Sequence, residues 1–294
     1  MRFFLQIICC LFAFHAFAQD QNSVTNSTIS NFEEYQPKSF GITLFSLGGY
    51  SDKQFKQADP SFDFFDNYIS FNYKINRNFK ISARPAFGYS TSGVNIYDEH
   101  VENKIRTRDF SFVAKFSNLL VDVLPASLNL ANQFRLYLPT SDPSKDSGMI
   151  ARLRYEVEGK YRFGHETSFR YYAKPSYYFQ RSTVFFDNSN PNRPNSIKTT
   201  SKVDIEHGGE YSWELNRVFS INPGFEVQEK WSNKSEAEAK DEYHACSIRA
   251  GIGFEIAPNR DFNFTVGIAS MKDLIQTYKI DETSYTLMTN VNLF

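Results

Sequence analysis

The chain is poor in cysteine and has only one long apolar run. Its 294 residues include three cysteines, Cys9, Cys10 and Cys246, and the first two lie within that run. If the run is removed on secretion, Cys246 stays alone, which excludes an intrachain disulfide. The remaining sequence has no stretch of roughly 20 apolar residues, the length that a spanning helix needs. Together with a mean hydropathy of -0.45, this excludes a helical membrane protein.

The apolar run at the start of the chain has the pattern of a secretory signal. Arg2 precedes FFLQIICCLFAFHAFA, which ends in AFA at positions 16–18, and an A-x-A ending is typical of a cleavage site. We therefore expect a signal peptide over 1–18 and a mature chain that begins at Gln19. No small residue precedes Cys9 or Cys10, which favours apolar signal sequence over lipidation at these cysteines.

The charge balance excludes one class of partner. Lys and Arg number 32 against 33 Asp and Glu, a formal net charge of -1. Losing Arg2 with the signal lowers this by one, to about -2, which is far from the strongly basic surface that nucleic acid attracts. We expect no nucleic-acid partner, no cofactor and no metal.

Residues 151–163, ARLRYEVEGKYRF, alternate with a period of two. Leu153, Tyr155 and Val157 stand at odd positions, and charged residues fill most of the even ones. A strand points successive side chains to opposite faces, so this segment has one apolar face and one wet face. The same alternation recurs along most of the chain, which makes the protein all-β.

We predict about twelve such strands, at 40–50, 67–76, 79–90, 107–117, 128–139, 149–163, 167–180, 200–215, 218–230, 243–256, 261–271 and 283–294. Tight connections such as NRN at 76–78 and GHE at 164–166 alternate with long polar ones. Strands of ten or more residues with this alternation are typical of a closed antiparallel up-and-down transmembrane β-barrel with short periplasmic turns and longer extracellular loops. The segment SNLLVDVLPAS fits neither class of connection.

Three prolines stand on the apolar phase a few residues into predicted strands: Pro85, Pro175 and Pro223. Proline removes a hydrogen bond from the ladder, so we expect bulges or loosened pairing at these positions.

The chain ends in SYTLMTNVNLF. It resembles at this point Gram-negative outer-membrane β-barrel proteins, whose last strand typically ends in an aromatic residue read by the barrel assembly machinery. The resemblance implies that Phe294 is the assembly signal, that the partners are outer-membrane lipids and the assembly machinery, and that the protein lies in the outer membrane. It departs from the family at Asn292, where an aromatic or apolar residue is usual. The resemblance divides the chain into the signal peptide at 1–18, a flexible periplasmic segment over 19–38 and a barrel over 39–294.

A secreted β-sandwich with a buried apolar face is the alternative architecture. The aromatic residues favour the membrane barrel, because rings with a polar atom suit the level of the lipid headgroups. Those on the apolar phase are Tyr155, Tyr161, Tyr171, Tyr177, Tyr211 and Trp213.

The polar phase supplies the residues that we expect to line the lumen. The basic ones are Arg84, Arg152, Arg154, Lys160, Arg162, Arg170 and Lys174, and the acidic ones are Glu156, Glu158, Asp204, Glu206, Glu210, Glu214 and Glu226. Pairing about the GHE turn predicts Glu156 opposite Lys174 and Lys160 opposite Arg170. The following loop predicts Lys174 opposite Glu206 and Arg170 opposite Glu210. This register leaves Arg152 and Arg154 without an acidic partner, and we expect them to touch solute.

These features favour a porin-like channel for passive diffusion of small polar or anionic solutes, because patches of charge tune the selectivity of a pore. A lipase-like barrel enzyme is a second possibility, with His207 as the plausible base on the outer face, although no adjacent nucleophile accompanies it. A structural or adhesive barrel acting through loops such as DNSNPNRPNS is a third.

Overall fold

A computed structural model describes residues 39–94, 100–119, 124–164, 166–187, 196–233, 244–259, 261–274 and 282–293. The signal peptide expected at 1–18, the segment at 19–38 and the assembly signal Phe294 lie outside the described residues. They stay predictions.

Eighteen strands and two short helices make up the described chain. The first half contains β1 (Phe40–Ser51), α1 (Asp52–Phe55), β2 (Asp63–Lys74), β3 (Phe79–Arg84), β4 (Ala86–Ser90), β5 (Gly93–Val94), β6 (His100–Val101), β7 (Lys104–Thr107), β8 (Phe110–Leu119) and β9 (Leu128–Leu138). The second half contains α2 (Asp142–Asp146), β10 (Met149–Arg162), β11 (Thr167–Gln180), β12 (Val184–Asp187), β13 (Ser196–Thr199), β14 (Ser201–Glu214), β15 (Phe219–Ser232), β16 (His244–Ile256), β17 (Phe262–Asp273) and β18 (Glu282–Asn292).

The main sheet closes on itself. Its order runs from β1 through β18, β17, β16, β15, β14, β11, β10, β9, β8 and β3 to β2, and β1 pairs with β2 as well as with β18. Phe45 of β1 thus lies opposite Tyr68 on one side and Asn290 on the other. With β3 and β4 counted as one interrupted strand, twelve antiparallel strands form a closed up-and-down barrel, which confirms the predicted fold.

The three strand prolines loosen the ladder, as predicted. Pro85 separates β3 from β4. Opposite Pro175, the pairing of β10 with β11 stops at Arg154 and resumes at Val157. Opposite Pro223, the pairing of β14 with β15 skips two residues. A missing N–H group at each proline accounts for these gaps, because proline has no donor for the ladder.

The connections differ in length at the two ends of the barrel. One end, the turn end, has tight connections such as 75–78, 163–166 and 215–218, and the other, the loop end, carries α1, α2 and the small hairpins β5–β6 and β12–β13. Neither helix among the described residues is long and apolar enough to span a membrane.

Three of the tight turns repeat the pattern N-R-x-F. In each, an asparagine side chain accepts hydrogen bonds from the backbone N–H groups two and three residues later: Asn76 from Asn78 and Phe79, Asn216 from Val218 and Phe219, and Asn259 from Asp261 and Phe262, at 2.8–3.0 Å. An asparagine side chain that bonds its own backbone in this way imitates a backbone turn. One turn chemistry therefore closes three hairpins of the barrel.

Burial is reversed relative to a soluble domain. Among the described residues the buried apolar side chains are Val113 and Met149 alone, whereas fifteen polar or charged side chains are buried. Large apolar side chains lie exposed on the outer face, including Phe112 and Phe254 at 50% each. The apolar face points out of a closed barrel, and this arrangement rules out the sandwich with a buried apolar core.

Candidate functional site: the charged interior of the barrel

Alternation along the strands decides which side chains enter the barrel. Arg154 of β10 pairs with Arg135 of β9, and Glu156 pairs with Gln133, so all four point to the same face. Gln133 is 8% exposed on this face, whereas Val157 on the other face is 39% exposed. The charged face of the strands is therefore the interior face.

The structure places the predicted lumen residues at different heights on this face. In the loop half lie Arg152, Arg154, Glu156, Asp204 and Glu206, with Lys174 beside Glu206. A cavity in the turn half is bordered by Glu158, Lys160, Arg170, Glu210 and Glu226. Arg84 is 9% exposed and donates to the Ser70 hydroxyl at 3.1 Å. Arg162 and Glu214 are exposed at the turn end.

Three guanidinium groups surround the ring of Tyr137. The guanidinium carbons of Arg152, Arg135 and Arg154 lie 4.8, 5.6 and 5.9 Å from the ring centroid, distances at which cation–π attraction acts. Arg135 also donates to the Tyr137 hydroxyl at 3.0 Å and forms an ion pair with Glu156 at 3.2 Å. We call the three arginines with Tyr137, Tyr178, Glu156, Asp204 and Glu206 the loop-side cluster. It fills one side of the interior with bonded charges.

The prediction that Arg152 and Arg154 lack acidic partners is wrong. Arg152 contacts the Asp204 carboxylate at 3.2 Å, and Arg154 lies 3.8 Å from that of Glu206. Both guanidinium groups also donate to the Ser176 hydroxyl, at 3.1 and 3.0 Å. The register was sound, but an arginine side chain is long enough to reach past its direct neighbour on β11 to a carboxylate on β14.

The register predicted for the next two strands is present. Lys174 lies opposite Glu206 and forms an ion pair with it, and Arg170 lies opposite Glu210, with an ion pair at 3.2 Å. Arg170 also contacts Glu158 at 3.6 Å. Glu156, which was predicted opposite Lys174, borders one small cavity with it, and its carboxylate bonds Arg135 and Gln133 of β9.

The cavity lies between this charged wall and a wall of small residues. Its volume is about 560 Å³, and β16 to β18 contribute Gly251, Gly253, Gly267, Ala269 and Thr286. Glycine is required at position 251, where a Cβ atom would come within 2.5 Å of the Ile268 carbonyl oxygen. The volume falls within the range of roughly 300–1,000 Å³ that small-molecule sites occupy.

Sequence reasoning missed several interior residues. Arg135 and Tyr137 stand on the polar phase of β9, and the alternation of NQFRLYL would have identified them. Tyr172 and Tyr178 stand on the interior phase of β11, and their hydroxyls donate to Glu226 at 2.8 Å and to Asp204 at 2.5 Å. Only tyrosines of the apolar phase, such as Tyr171 and Tyr177, were named from the sequence, and Tyr172 and Tyr178 on the polar phase were left without a role.

His207, the candidate base of the enzyme alternative, lies on the outer face. Its ring nitrogen Nδ1 shares a hydrogen bond with the Tyr171 hydroxyl at 2.9 Å. A catalytic histidine needs a nucleophile within hydrogen-bond reach, and this tyrosine is the described hydrogen-bond partner of its ring. In the part of the chain that the structure describes, no group of three His, Cys, Asp or Glu side chains is placed to hold a metal ion.

No protein-family model and no curated protein matches the chain. Solved structures do match. An outer-membrane channel from Pseudomonas putida F1 is 10% identical with a TM-score of 0.61, covering 92% of this chain and 100% of the other. The KdgM porin in complex with disordered oligogalacturonate is 8% identical with a TM-score of 0.47, covering 85% and 98%. The beta domain of the Bordetella autotransporter Brka is 9% identical with a TM-score of 0.47, covering 86% and 99%.

At these identities the likeness bears on the fold alone. The first structure shares the fold over nearly the whole of both chains, so this protein has the fold of outer-membrane β-barrel proteins. The second and third likenesses are weaker and carry no argument about function.

Proposed function

We propose that this protein is an outer-membrane channel through which small polar solutes diffuse passively. The observation that carries the proposal is the cavity of about 560 Å³ within a closed barrel, lined by charged residues on one side and largely by small residues such as Gly251, Gly267 and Ala269 on the other. The outward-facing apolar side chains support a location in lipid. A closed sheet is also compatible with lipid, because all of its backbone polar groups are paired internally. The fold shared with the Pseudomonas channel agrees with this location.

The paired charges bear on the kind of solute. Arg170 sits between Glu158 and Glu210, and Lys174 contacts both Glu206 and the face of the Tyr172 ring at 4.2 Å. Rings or patches of unbalanced charge select ions in a pore, whereas these charges cancel one another locally. We therefore propose that this wall offers hydrogen bonds to polar solutes rather than a strong preference for anions.

Single-channel recording of the refolded protein in a planar lipid bilayer tests the proposal. We expect a steady, small conductance, because the loop-side cluster occupies part of the interior. Ala269→Trp places a bulky ring on the small-residue wall of the cavity, and we expect it to lower the conductance. The control Val266→Trp changes a side chain that is 46% exposed on the outer face, and we expect it to leave the conductance unchanged.

Absence of conductance from correctly folded protein would refute the channel. It would favour an anchor or an enzyme, and hydrolysis of lipid esters by the wild type but not by His207→Ala would then identify the enzyme. Equal conductance of both tryptophan variants would show that ions do not pass through this cavity.

A further inference from the structure

Three lysines lie side by side on the interior wall near the turn end. Lys74 of β2 is opposite Lys80 of β3, and Lys80 is opposite Lys115 of β8. The next pairs toward the loop end, Asn72 with Ser82 and Ser82 with Val113, keep the same phase. We call Lys74, Lys80 and Lys115 the lysine row. Neighbouring strands are about 4.8 Å apart, so the row extends over roughly 10 Å of the wall.

The lysine row has no acidic partner among the described residues. None of the interior ion pairs among these residues involves Lys74, Lys80 or Lys115, and Arg84 on the same strand as Lys80 adds a further cation. Arg84 itself is bonded to the Ser70 hydroxyl and lies 4.9 Å from the centroid of the Tyr68 ring. All three lysines are half-buried rather than free in solvent.

Two carboxylates that share a cavity with Lys115 contact other side chains. Lys115 borders a small cavity that Glu156 and Glu158 also line. Glu156 bonds Arg135 and Gln133, and Glu158 contacts Arg170 at 3.6 Å. The positive charge of the lysine row is therefore uncompensated in the described part of the barrel.

This arrangement is unfavourable for the sheet by itself. Like charges directly opposite each other on neighbouring strands destabilise a sheet, and half-burial reduces the screening of the repulsion by water. Elsewhere on the same wall, opposite charges face each other, as Lys174 faces Glu206 and Arg170 faces Glu210. A row of three cations is a stable arrangement when an anion lies among them.

We propose that the lysine row binds an oxyanion with two or more negative charges, of the phosphate or pyrophosphate type, at the turn-end mouth of the lumen. Lysine ammonium groups bind phosphate oxygens as point charges through short, charge-assisted hydrogen bonds. A span of roughly 10 Å suits an anion with two charged groups better than one with a single charge. The inference rests on the proposed channel and adds to it, because the lysine row lies on β2, β3 and β8, apart from the balanced charges of β10, β11 and β14, and gives the lumen an anion-binding patch at its turn end.

Equilibrium dialysis of labelled pyrophosphate against the detergent-solubilised full chain at low salt tests the site directly. We expect saturable binding to the wild type, binding about tenfold weaker or more for Lys80→Gln, and none for the variant with all three lysines changed to glutamine. The control Lys230→Gln removes an exposed lysine of β15 that lies opposite Asp204 in the strand ladder near the loop end, and this variant should bind as the wild type does. Equal binding by the wild type and the triple variant would overturn the proposal.

A second measurement uses the repulsion within the row. Without anion, Lys80→Gln should raise the temperature at which the barrel unfolds in detergent, because it removes the central like charge. Pyrophosphate should raise this temperature for the wild type, raise it less for Lys80→Gln, and leave it unchanged for the variant with all three lysines changed to glutamine. A variant less stable than the wild type in anion-free buffer would contradict the unfavourable row.

Two further results distinguish a soluble anion from a lipid headgroup, and the anion site from the channel. Stabilisation of the wild type by phosphatidylglycerol vesicles, but not by pyrophosphate, would overturn the solute assignment and identify a lipid headgroup as the anion. Because dialysis does not require conduction, a silent protein that binds pyrophosphate would refute the channel alone. A conducting protein that binds none would refute the lysine row alone.

Discussion

At the scale of single residues, position on a strand decides whether a side chain meets lipid or water. Val266 and Thr265 are neighbours in β17, yet Val266 is 46% exposed on the outer face and Thr265 lines the cavity. A charge costs much in hydrocarbon and little in an aqueous lumen. The two positions therefore form a matched pair for testing the faces of the barrel.

Val266→Arg should destabilise the barrel by about 2–4 kcal/mol near the bilayer midplane, whereas Thr265→Arg should cost far less. Denaturant unfolding from lipid vesicles measures both values. Equal destabilisation by the two substitutions would mean that the outer and inner faces have been assigned wrongly.

The ion pair of Arg152 with Asp204 offers a second test at this scale. The two side chains are 18% and 7% exposed, so water screens the pair only in part. A double-mutant cycle of Arg152→Gln and Asp204→Asn should give a coupling of about 0.5–3 kcal/mol, as expected for residues in one network. Unfolding of the two single variants and the double variant measures it. A coupling near zero would show that Arg152 is free to act on solutes, as the sequence alone had predicted.

At the scale of elements, three of the tight turns share one hydrogen-bonding pattern. Asn76, Asn216 and Asn259 each order a turn by accepting two backbone hydrogen bonds. These bonds hold the two strands of each hairpin at a set register, and a slip of one residue would turn every charge outward into lipid. The turns thus help to determine which residues line the lumen.

Asn216→Ala should destabilise the barrel by about 1 kcal/mol, because both bonds are lost from an exposed turn. Arg217→Ala is the matched control, since its exposed side chain lies next to Asn216 in the same turn. Urea unfolding in detergent compares the two variants. If the arginine variant were the less stable one, the turn would depend on its charge rather than on the asparagine.

At the scale of the whole molecule, closure between β1 and β18 removes the last sheet edge. Nine residue pairs from Thr43–Asn292 to Ser51–Ser284 join these strands. A Cβ atom at Gly49 would collide with the carbonyl oxygen of Tyr285 across this seam. Closure therefore depends on the absence of a side chain at this position.

We expect unboiled protein in SDS to migrate differently from boiled protein, because a closed sheet without edges resists local unfolding. Gly49→Val should reduce the folded, fast-migrating fraction by straining the seam. A circular dichroism spectrum of β type in detergent would accompany the folded form. A mature chain that is soluble and monomeric without detergent would contradict the membrane barrel.

The sequence by itself determined the strands, their phase and most of their neighbours. A period of two with consistent turn residues carries this information locally, and Lys174 opposite Glu206 follows from counting residues around a turn. The loosened pairing at Pro85 was likewise predictable, because proline lacks the donor whatever its surroundings.

Only the tertiary structure decided which charges neutralise one another and where space remains. The Arg152 side chain reaches across the whole of β11 to Asp204 on β14. The strand register specifies which residues are neighbours, but not how far or in which direction a long side chain extends. The cavity exists because the small residues of β16 to β18 face the charged wall across a closed barrel. Alternation specifies which side chains share one face of a strand. The space between the charged wall and the small-residue wall depends on closure of all twelve strands into a barrel.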